Sequence, residues 1–226
     1  MIAGDRVGAI VAAGGAGLRA GVAKQWLTLG GESVLRRSAR LLADCPAVDD
    51  LVVVVPPGEE GRGQAELQDL GKGVRVVAGG AQRADSVLAG LEALEGCAVV
   101  LVHDAARPFA SVALFRGVLA AARGSGCAGA FLDPEVPVAR IGGGLVLEGF
   151  DRDQVGVFQA PQAFARALLL DLFAQAEAAG RRPQSTLQLA LQAGVPVAAV
   201  PGEKHNIKLT TPEDWRHAAL LEDHLR

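Results

Sequence analysis

The stretch that most constrains the fold of this chain is a short apolar run followed at once by a glycine-rich loop. Residues 7–12, VGAIVA, have the composition of a buried strand, and the segment from Val11 to Gln25 reads VAAGGAGLRAGVAKQ. Glycines at positions 14, 15, 17 and 21 leave backbone N–H groups open to an anion, and Arg19 and Lys24 add positive charge. The pattern predicts a polyphosphate site. The alternative is a flexible surface turn, which rarely follows a buried strand with two basic residues so placed.

Two common phosphate motifs do not fit this loop. A P-loop requires Gly-Lys followed by Ser or Thr, whereas Lys24 stands between Ala23 and Gln25. The dinucleotide fingerprint matches residues 15–20 loosely, but the next strand, 51–55, ends in proline instead of an acid. An NAD-dependent oxidoreductase is therefore disfavoured. The loop fits a third class, in which a long loop wraps a nucleoside triphosphate.

Composition limits the partners and the location that we expect. The chain has 226 residues, half of them apolar, and a net charge of −3, so it can bury a sizeable core and presents no basic field for nucleic acid. Its three cysteines and four histidines are scattered, without disulfide or metal spacing. There is no apolar run of membrane length and no secretory signal. We expect one cytoplasmic α/β domain over 1–226 that binds neither nucleic acid nor membrane.

Predicted strands and helices alternate along most of the chain, as in a parallel α/β sheet. The predicted strands are 51–55, 74–77, 98–102, 128–132, 156–159, 195–200 and 206–209. The predicted helices are 34–43 with Ser33 as N-cap, one ending at 94, 112–123, 163–179, 185–193, and one from 212 onward with Thr211 as N-cap. Residues 58–72 are either a helix or a surface loop.

Two further stretches join strand ends to helix starts, where ligands sit in an open parallel sheet. Gly79 and Gly80 allow a second close approach of the backbone, and Ser86 beyond them is either an ordinary first-turn residue or a hydroxyl that faces a ligand. Asp104 ends the strand that topology places at the centre. It is a candidate to hold a divalent metal or a sugar hydroxyl; the alternatives are a helix cap and a salt bridge with Arg107.

A hairpin interrupts this alternation near residue 140. Val136, Val138 and the apolar residues 145–147 flank three glycines at 142–144. The hairpin should project from the sheet as an arm. Because its apolar faces need cover, a second subunit is expected.

Taken together, these stretches resemble the 2-C-methyl-D-erythritol 4-phosphate cytidylyltransferases of the non-mevalonate isoprenoid pathway. The matching pieces follow one another in order over nearly the whole chain. They are AAGGAGLR and AKQ within 12–25, GGAQRADSVLAGL at 79–91, LVHDAARPF at 101–109, DR at 151–152, APQAF at 160–164 and NIKLTTPED at 206–214.

The resemblance implies a Rossmann-like, mostly parallel sheet flanked by helices, with a dimerising β-arm at about 135–157. It implies transfer of CMP from CTP to 2-C-methyl-D-erythritol 4-phosphate, a polyol phosphate, with release of pyrophosphate and a need for Mg²⁺. It assigns transition-state stabilisation to Arg19 and Lys24, and the acceptor phosphate to Arg152 and Lys208. The substrate-binding set that it implies is Ala12, Ala13, Gly14, Gly15, Gly80, Gln82, Ser86, Asp104, Ala105 and Arg107, with Asp104 also the metal ligand.

The sequence departs from the family pattern mainly on the acceptor side. Ala20 replaces a methionine, Arg19 lies two residues closer to Lys24 than usual, Pro137 and Val138 stand where the arm usually carries Asp-Thr, and residues 184–186 lack the usual acid. Two alternatives stay open. One is a cytidylyltransferase for another polyol phosphate such as ribitol 5-phosphate, although Ala106 favours methylerythritol. The other is a nucleotide-binding protein without turnover.

Overall fold

The fold is built on parallel strands with continuous apolar sequence. The computed structural model describes residues 6–14, 24–71, 73–181 and 185–224. In chain order the strands are β1 (Val7–Ala12), β2 (Thr28–Leu29), β3 (Glu32–Ser33), β4 (Asp50–Val55), β5 (Arg75–Ala78), β6 (Val99–Asp104), β7 (Cys127–Leu132), β8 (Val138–Gly142), β9 (Leu145–Phe150), β10 (Val157–Ala165) and β11 (Ala198–Pro201). The predicted site residues Gly15 and Arg19 lie outside the described residues.

Seven of these strands form one mixed sheet in the order β11-β7-β10-β6-β1-β4-β5. Strand β10 runs antiparallel to both of its neighbours, β6 and β7, and the other pairings in the sheet are parallel. Strands β1, β4 and β6 are buried on both faces, which explains why their sequences are apolar without alternation. The sheet confirms the predicted fold class and places β6, which ends in Asp104, at its centre.

Helices cover both faces of the sheet. They are α1 (Val34–Ala43), α2 (Glu60–Leu67), α3 (Arg83–Ala93), α4 (Val112–Ser125), α5 (Arg166–Ala178), α6 (Thr186–Gln192) and α7 (Pro212–His224). Apolar residues of α1, α2 and α4 pack in one buried cluster, and those of α3, α5 and α6 pack in another on the opposite side. Among the described residues, none of the helices is both long enough and apolar enough to cross a membrane.

Helix caps confirm several predicted boundaries. The Ser33 hydroxyl accepts a hydrogen bond from the backbone N–H of Arg36, so α1 begins at Val34 as predicted. The Thr211 hydroxyl accepts from the N–H of Asp214, and the Asp214 carboxylate in turn accepts from the N–H groups of Thr210 and Thr211. This reciprocal cap fixes the start of α7 and therefore the end of the loop that precedes it.

Two predicted elements were wrong. Ala163 was predicted to begin a helix, but it lies in β10, where it pairs with Leu101 on one side and Ala128 on the other; the helix begins at Arg166. Residues 206–209 were predicted to be a strand, but they form a loop. The side chain of Asn206 is fully buried and donates to the carbonyl oxygen of Ala160 at 2.7 Å, so a long-range side-chain contact replaces a strand ladder.

The hairpin of β8 and β9 forms a two-stranded sheet separate from the main one. It lies within the predicted arm, and its turn uses Gly143 and Gly144, both at positive φ. Its large apolar side chains are exposed: Ile141 by 70%, Leu145 by 68% and Val146 by 71%.

The close approach of α3 to the sheet gives a testable prediction. A Cβ atom on Gly90 would lie 2.8 Å from Cγ2 of Ile10 and 3.0 Å from Cγ2 of Val54, both in the core. Gly90→Ala should therefore lower the free energy of unfolding by about 1–3 kcal/mol in urea denaturation. Gly124→Ala, in an exposed part of α4 with open space around it, is the matched control and should raise it by about 0.5–1 kcal/mol. An equal increase in the free energy of unfolding for both variants would contradict the close packing at Gly90.

Candidate active site

The carboxyl ends of β1, β5 and β6 converge on one edge of the sheet. Three hydrogen bonds hold this edge: the N–H of Ala13 donates to the Val54 carbonyl at 2.8 Å, that of Gly79 to Val55 at 2.7 Å, and that of Ala105 to Ala12 at 3.1 Å. The residues that follow these strands are therefore neighbours, although 92 positions separate Ala12 from Asp104 in the chain.

Glycine is required where the first loop meets the second. A Cβ atom on Gly14 would lie 2.4 Å from the Ser86 hydroxyl oxygen, and one on Gly79 would lie 2.5 Å from the same atom. One on Gly80 would lie 2.3 Å from Cβ of Asp85. The backbone at Gly14, Gly79 and Gly80 thus packs directly on the start of α3, where a side chain at any of the three would clash.

Ser86 and Gln82, at the start of α3, differ in burial and in their hydrogen-bond partners. The Ser86 side chain is buried and its hydroxyl donates to the Gln82 carbonyl at 3.2 Å, so it already has a partner within its own helix. The backbone N–H of Gln82 donates to the Asp85 carboxylate at 3.0 Å, while the Gln82 side chain is exposed. Both residues lie at the predicted edge, and their contacts with a ligand stay predictions.

Asp104 is the electrostatic centre of the site. Its Oδ1 accepts from Nε of Arg83 at 2.8 Å, its Oδ2 accepts from Nζ of Lys208 at 2.8 Å, and Nε of Arg107 lies 3.9 Å from Oδ2. Burial alone would raise the pKa of this carboxyl, but the three cations outweigh burial and hold its pKa well below the ordinary value. Asp104 is therefore a carboxylate at any physiological pH.

Lys24, the first described residue after the glycine loop, contacts the loop that carries Lys208. It lies in a single 3-10 turn, Lys24–Trp26, and its ammonium group donates to the carbonyl oxygen of Thr210. Thr210 is two residues from Lys208, so one loop brings the predicted catalytic Lys24 and the predicted acceptor-binding Lys208 together. The structure thus groups Lys208 and Arg107 at Asp104, and it links Lys24 to them through the loop that carries Thr210 and Lys208.

A buried polar network holds that loop in place. Asn206, fully buried, gives its side-chain N–H to Ala160, and its backbone carbonyl accepts from Nη1 of Arg107 at 2.7 Å. The Gln159 side chain donates to the carbonyl of Glu203 at 3.0 Å and accepts from the Glu203 N–H at 3.1 Å. Lys208 is therefore positioned by residues far from it in sequence.

His103 supports the site without facing it. The ring is fully buried, lies edge-on to Phe115 with ring centroids 5.1 Å apart, and places Nε2 3.0 Å from the Arg107 carbonyl. Burial lowers the pKa of His103 to about 4, so the ring is neutral and donates from Nε2. It fixes the turn that carries Asp104, Ala105 and Arg107.

Arg152 is the predicted site residue that the structure does not bring to Asp104. It follows β9 at the base of the arm and donates to the carbonyl of Glu135 at 3.2 Å. No hydrogen bond or ion pair within the described ranges joins it to the Asp104 cluster. Arg83, Gln159, Asn206 and Thr210 are the contributors that sequence reasoning missed. For Arg83 the available signal was its place in the stretch 79–91.

A sheet of this order, with three cations around a carboxylate at its carboxyl edge, is typical of the α/β nucleotidyltransferase fold. The chain matches the family described as 2-C-methyl-D-erythritol 4-phosphate cytidylyltransferase over residues 7–223. It therefore belongs to that family.

Individual relatives agree with this assignment. The chain is 58% identical, over 98% of its length, to the bifunctional enzyme IspD/IspF of Anaeromyxobacter dehalogenans, and spans 58% of that relative's length. It is 38% identical to the 2-C-methyl-D-erythritol 4-phosphate cytidylyltransferase of Symbiobacterium thermophilum, covering 95% of this chain and 92% of the relative. The crystal structure of the Thermus thermophilus cytidylyltransferase superposes with a TM-score of 0.81 at 32% identity, covering 96% and 99% of the two chains.

The Asn206 network gives a prediction that depends on pH. Asn206→Asp replaces an N–H donor to Ala160 with an ionised oxygen, which should lower the free energy of unfolding by about 3 kcal/mol at pH 7.5. Burial raises the pKa of the new carboxyl in the folded state above its unfolded value, so protonation favours folding. The deficit should therefore shrink as the pH falls from 7.5 to 5.

Urea denaturation at the two pH values measures this change. Gln175→Glu, the same amide-to-acid exchange on the exposed face of α5, is the control and should change stability by less than about 0.5 kcal/mol. A deficit for Asn206→Asp that stays constant with pH would show that the new carboxyl is not buried.

Proposed function

We propose that this protein transfers CMP from CTP to 2-C-methyl-D-erythritol 4-phosphate, forming 4-diphosphocytidyl-2-C-methyl-D-erythritol and pyrophosphate. The observation that carries the proposal is the arrangement of Lys208, Arg83 and Arg107 around Asp104, with Lys24 bonded to the same loop as Lys208. Membership of the cytidylyltransferase family supports the choice of substrates.

The chemistry requires two anions to meet. An oxygen of the acceptor phosphate attacks the α-phosphorus of CTP in line with the departing pyrophosphate, so positioning and positive charge supply most of the acceleration. The glycine loops would hold the nucleotide through backbone groups, and Lys24 would stabilise charge that moves onto the triphosphate. Lys208 would hold the acceptor phosphate. The reaction needs no side-chain nucleophile.

Asp104 fits the role of a Mg²⁺ ligand. It offers a hard oxygen donor at the strand end, and its partner on Oδ2 is Lys208, whose side chain is 42% exposed and lies on a loop, so that partner is exchangeable. Within the described ranges, no three acidic, histidine or cysteine side chains gather into a metal site. Asp104 would then share the ion with substrate phosphates, as Mg²⁺ prefers. The bound ion would neutralise charge on the reacting phosphates.

The arm supports the proposal of a homodimer. A two-stranded hairpin is marginally stable alone, and this one exposes Ile141, Leu145 and Val146 to solvent. We assign the cover to the arm of a second copy of this chain. Arg152 at the arm's base would then reach the neighbouring site. A cytoplasmic location is also proposed, because Cys45, Cys97 and Cys127 are all free and buried.

The proposal is tested by pyrophosphate release from CTP and Mg²⁺ with a panel of polyol phosphates. Fast release with 2-C-methyl-D-erythritol 4-phosphate and slow release with ribitol 5-phosphate are expected. Preference for ribitol 5-phosphate would make the protein a cytidylyltransferase of the other kind. CTP binding without release from any acceptor would make it a nucleotide-binding protein without turnover.

Lys208→Ala should reduce kcat/KM for the acceptor about ten- to a hundred-fold and leave the affinity for CTP nearly unchanged, because a charge-assisted contact with the acceptor phosphate is lost. The measurement is pyrophosphate release with each substrate varied in turn. Lys204→Ala is the control, since Lys204 lies on the same loop but pairs with Glu135 and is 82% exposed. A defect confined to CTP would remove Lys208 from the acceptor site.

If Arg152 serves the active site of the neighbouring subunit, two inactive variants should restore activity to each other in a mixed dimer. Lys24→Ala and Arg152→Ala should each be inactive, but mixed dimers should recover activity because one of their two sites keeps both residues. Val146→Asp in both chains places charge in the proposed interface and should abolish the recovery. Verified mixed dimers without activity would place Arg152 in its own subunit's site.

A further inference from the structure

Of the three cations at Asp104, Arg83, Arg107 and Lys208, Arg83 is the one to which the proposed reaction assigns no role. It is the first residue of α3, directly after the second glycine loop, and its guanidinium group divides between two partners. Nε donates to Oδ1 of Asp104 at 2.8 Å, and Nη1 donates to the hydroxyl of Thr186 at 3.0 Å. Thr186 is buried and lies 103 residues further along the chain.

Thr186 is itself held firmly. It is the first residue of α6, directly after the N-cap Ser185, whose hydroxyl accepts from the Gln188 N–H at 3.3 Å. The Gln188 side chain accepts in return from the Ser185 N–H, also at 3.3 Å. This reciprocal cap fixes the first turn of α6, and therefore the position of the hydroxyl that Arg83 contacts.

The three cations at Asp104 differ in how they are attached. Lys208 has a side chain 42% exposed on a loop, and it is the residue that would leave Asp104 for the acceptor phosphate. Arg107 approaches no closer than 3.9 Å and is bonded to the Asn206 carbonyl. Arg83 alone makes a hydrogen bond to Oδ1, and its guanidinium group is anchored at a second point.

We propose that Arg83, oriented by Thr186, is a positioning residue that holds Oδ1 of Asp104 and thereby turns Oδ2 toward the metal and the reacting phosphates. When Lys208 moves to the acceptor phosphate, Oδ2 is freed while Oδ1 stays fixed. The carboxylate would then offer one oxygen to a cation, while the bond to Arg83 restrains rotation about its Cβ–Cγ bond. Fixing a ligand's orientation in this way commonly changes metal affinity or activity by about ten- to a hundred-fold when the partner is altered.

Two substitutions test the geometry without changing the charge of the site. Arg83→Lys keeps the positive charge but loses the planar fork that reaches two partners at once. Thr186→Val keeps the shape but removes the hydroxyl, and Thr186→Ser restores a hydroxyl at the same place. Arg40→Lys, which alters a two-bonded arginine paired with Glu32 away from the site, is the control for this type of exchange.

The readout is the gain in CTP affinity that Mn²⁺ provides, measured by calorimetry as the ratio of the CTP dissociation constants in EDTA and in excess Mn²⁺. Arg83→Lys and Thr186→Val should reduce this gain about ten-fold and lower kcat by a similar factor. Thr186→Ser and Arg40→Lys should leave both near the wild-type values. The affinity for CTP in EDTA should not change in any of the variants.

The coupling between the two residues is tested by the double variant. If Thr186 acts only through Arg83, Arg83→Lys combined with Thr186→Val should lose no more than the worse single variant. Additive losses would overturn that coupling. If Arg83→Lys lowers the melting temperature but leaves the gain in CTP affinity from Mn²⁺ unchanged, Arg83 has only a structural role. If Arg83→Lys weakens CTP binding in EDTA, Arg83 contacts the nucleotide directly.

This inference rests on the proposed function for the reaction, but its binding readout does not depend on the acceptor. Wild-type protein that binds CTP more tightly with Mn²⁺ yet releases no pyrophosphate would overturn the proposed function, while the variants would still decide the role of Arg83. Wild-type protein whose CTP affinity gains nothing from Mn²⁺ would overturn the assignment of Oδ2 to a metal.

Discussion

The buried carboxylate of Asp104 is the constraint on which the site depends. A carboxylate at the end of a fully buried strand is unfavourable unless opposite charges surround it, and removing a partner from such a group is strongly destabilising. Arg83, Arg107 and Lys208 come from three separate segments to meet this requirement. Neutralising one buried charge therefore brings a helix start, a turn and a loop to the same point. The folding requirement and the assembly of the active site are met by one set of contacts.

The oxygen partners of the two lysines suit the proposed reaction between two anions. Cations that are fully committed to protein partners cannot receive a substrate, and cations with no partner would repel one another before the substrate arrives. Here Lys24 rests on the Thr210 carbonyl and Lys208 on Asp104, so each lysine has an oxygen partner that a phosphate can replace. The loop around residue 208 stays in place meanwhile, because Asn206 and Gln159 hold it through buried hydrogen bonds.

Sequence reasoning located the elements whose local signals agree with their surroundings. The N-cap of α1 at Ser33, the cap at Thr211 and the buried runs of β1 and β4 follow from caps and composition alone. It failed at Ala163, where helix-forming residues continue a strand because β6 and β7 both pair with it. The link from Arg83 to Thr186 joins residues 103 positions apart, so no local pattern could reveal it. The glycine loop indicated Lys24, the end of a buried strand indicated Asp104 and the resemblance indicated Lys208, while the contacts that orient them required the fold.

The arm's separation from the main sheet has a consequence for substitutions in the hairpin. Because β8 and β9 pair only with each other in their own small sheet, the hydrogen bonds of the seven-stranded sheet do not pass through them. A substitution in the hairpin can then alter what the arm recognises while the packing beneath Asp104 stays unchanged. Pro137 and Val138, where this chain departs from the usual pattern, lie in or beside the hairpin. The arm and the edge that carries Asp104 can therefore be altered separately, because no hydrogen bond of the main sheet, over the residues that the structure describes, depends on the hairpin.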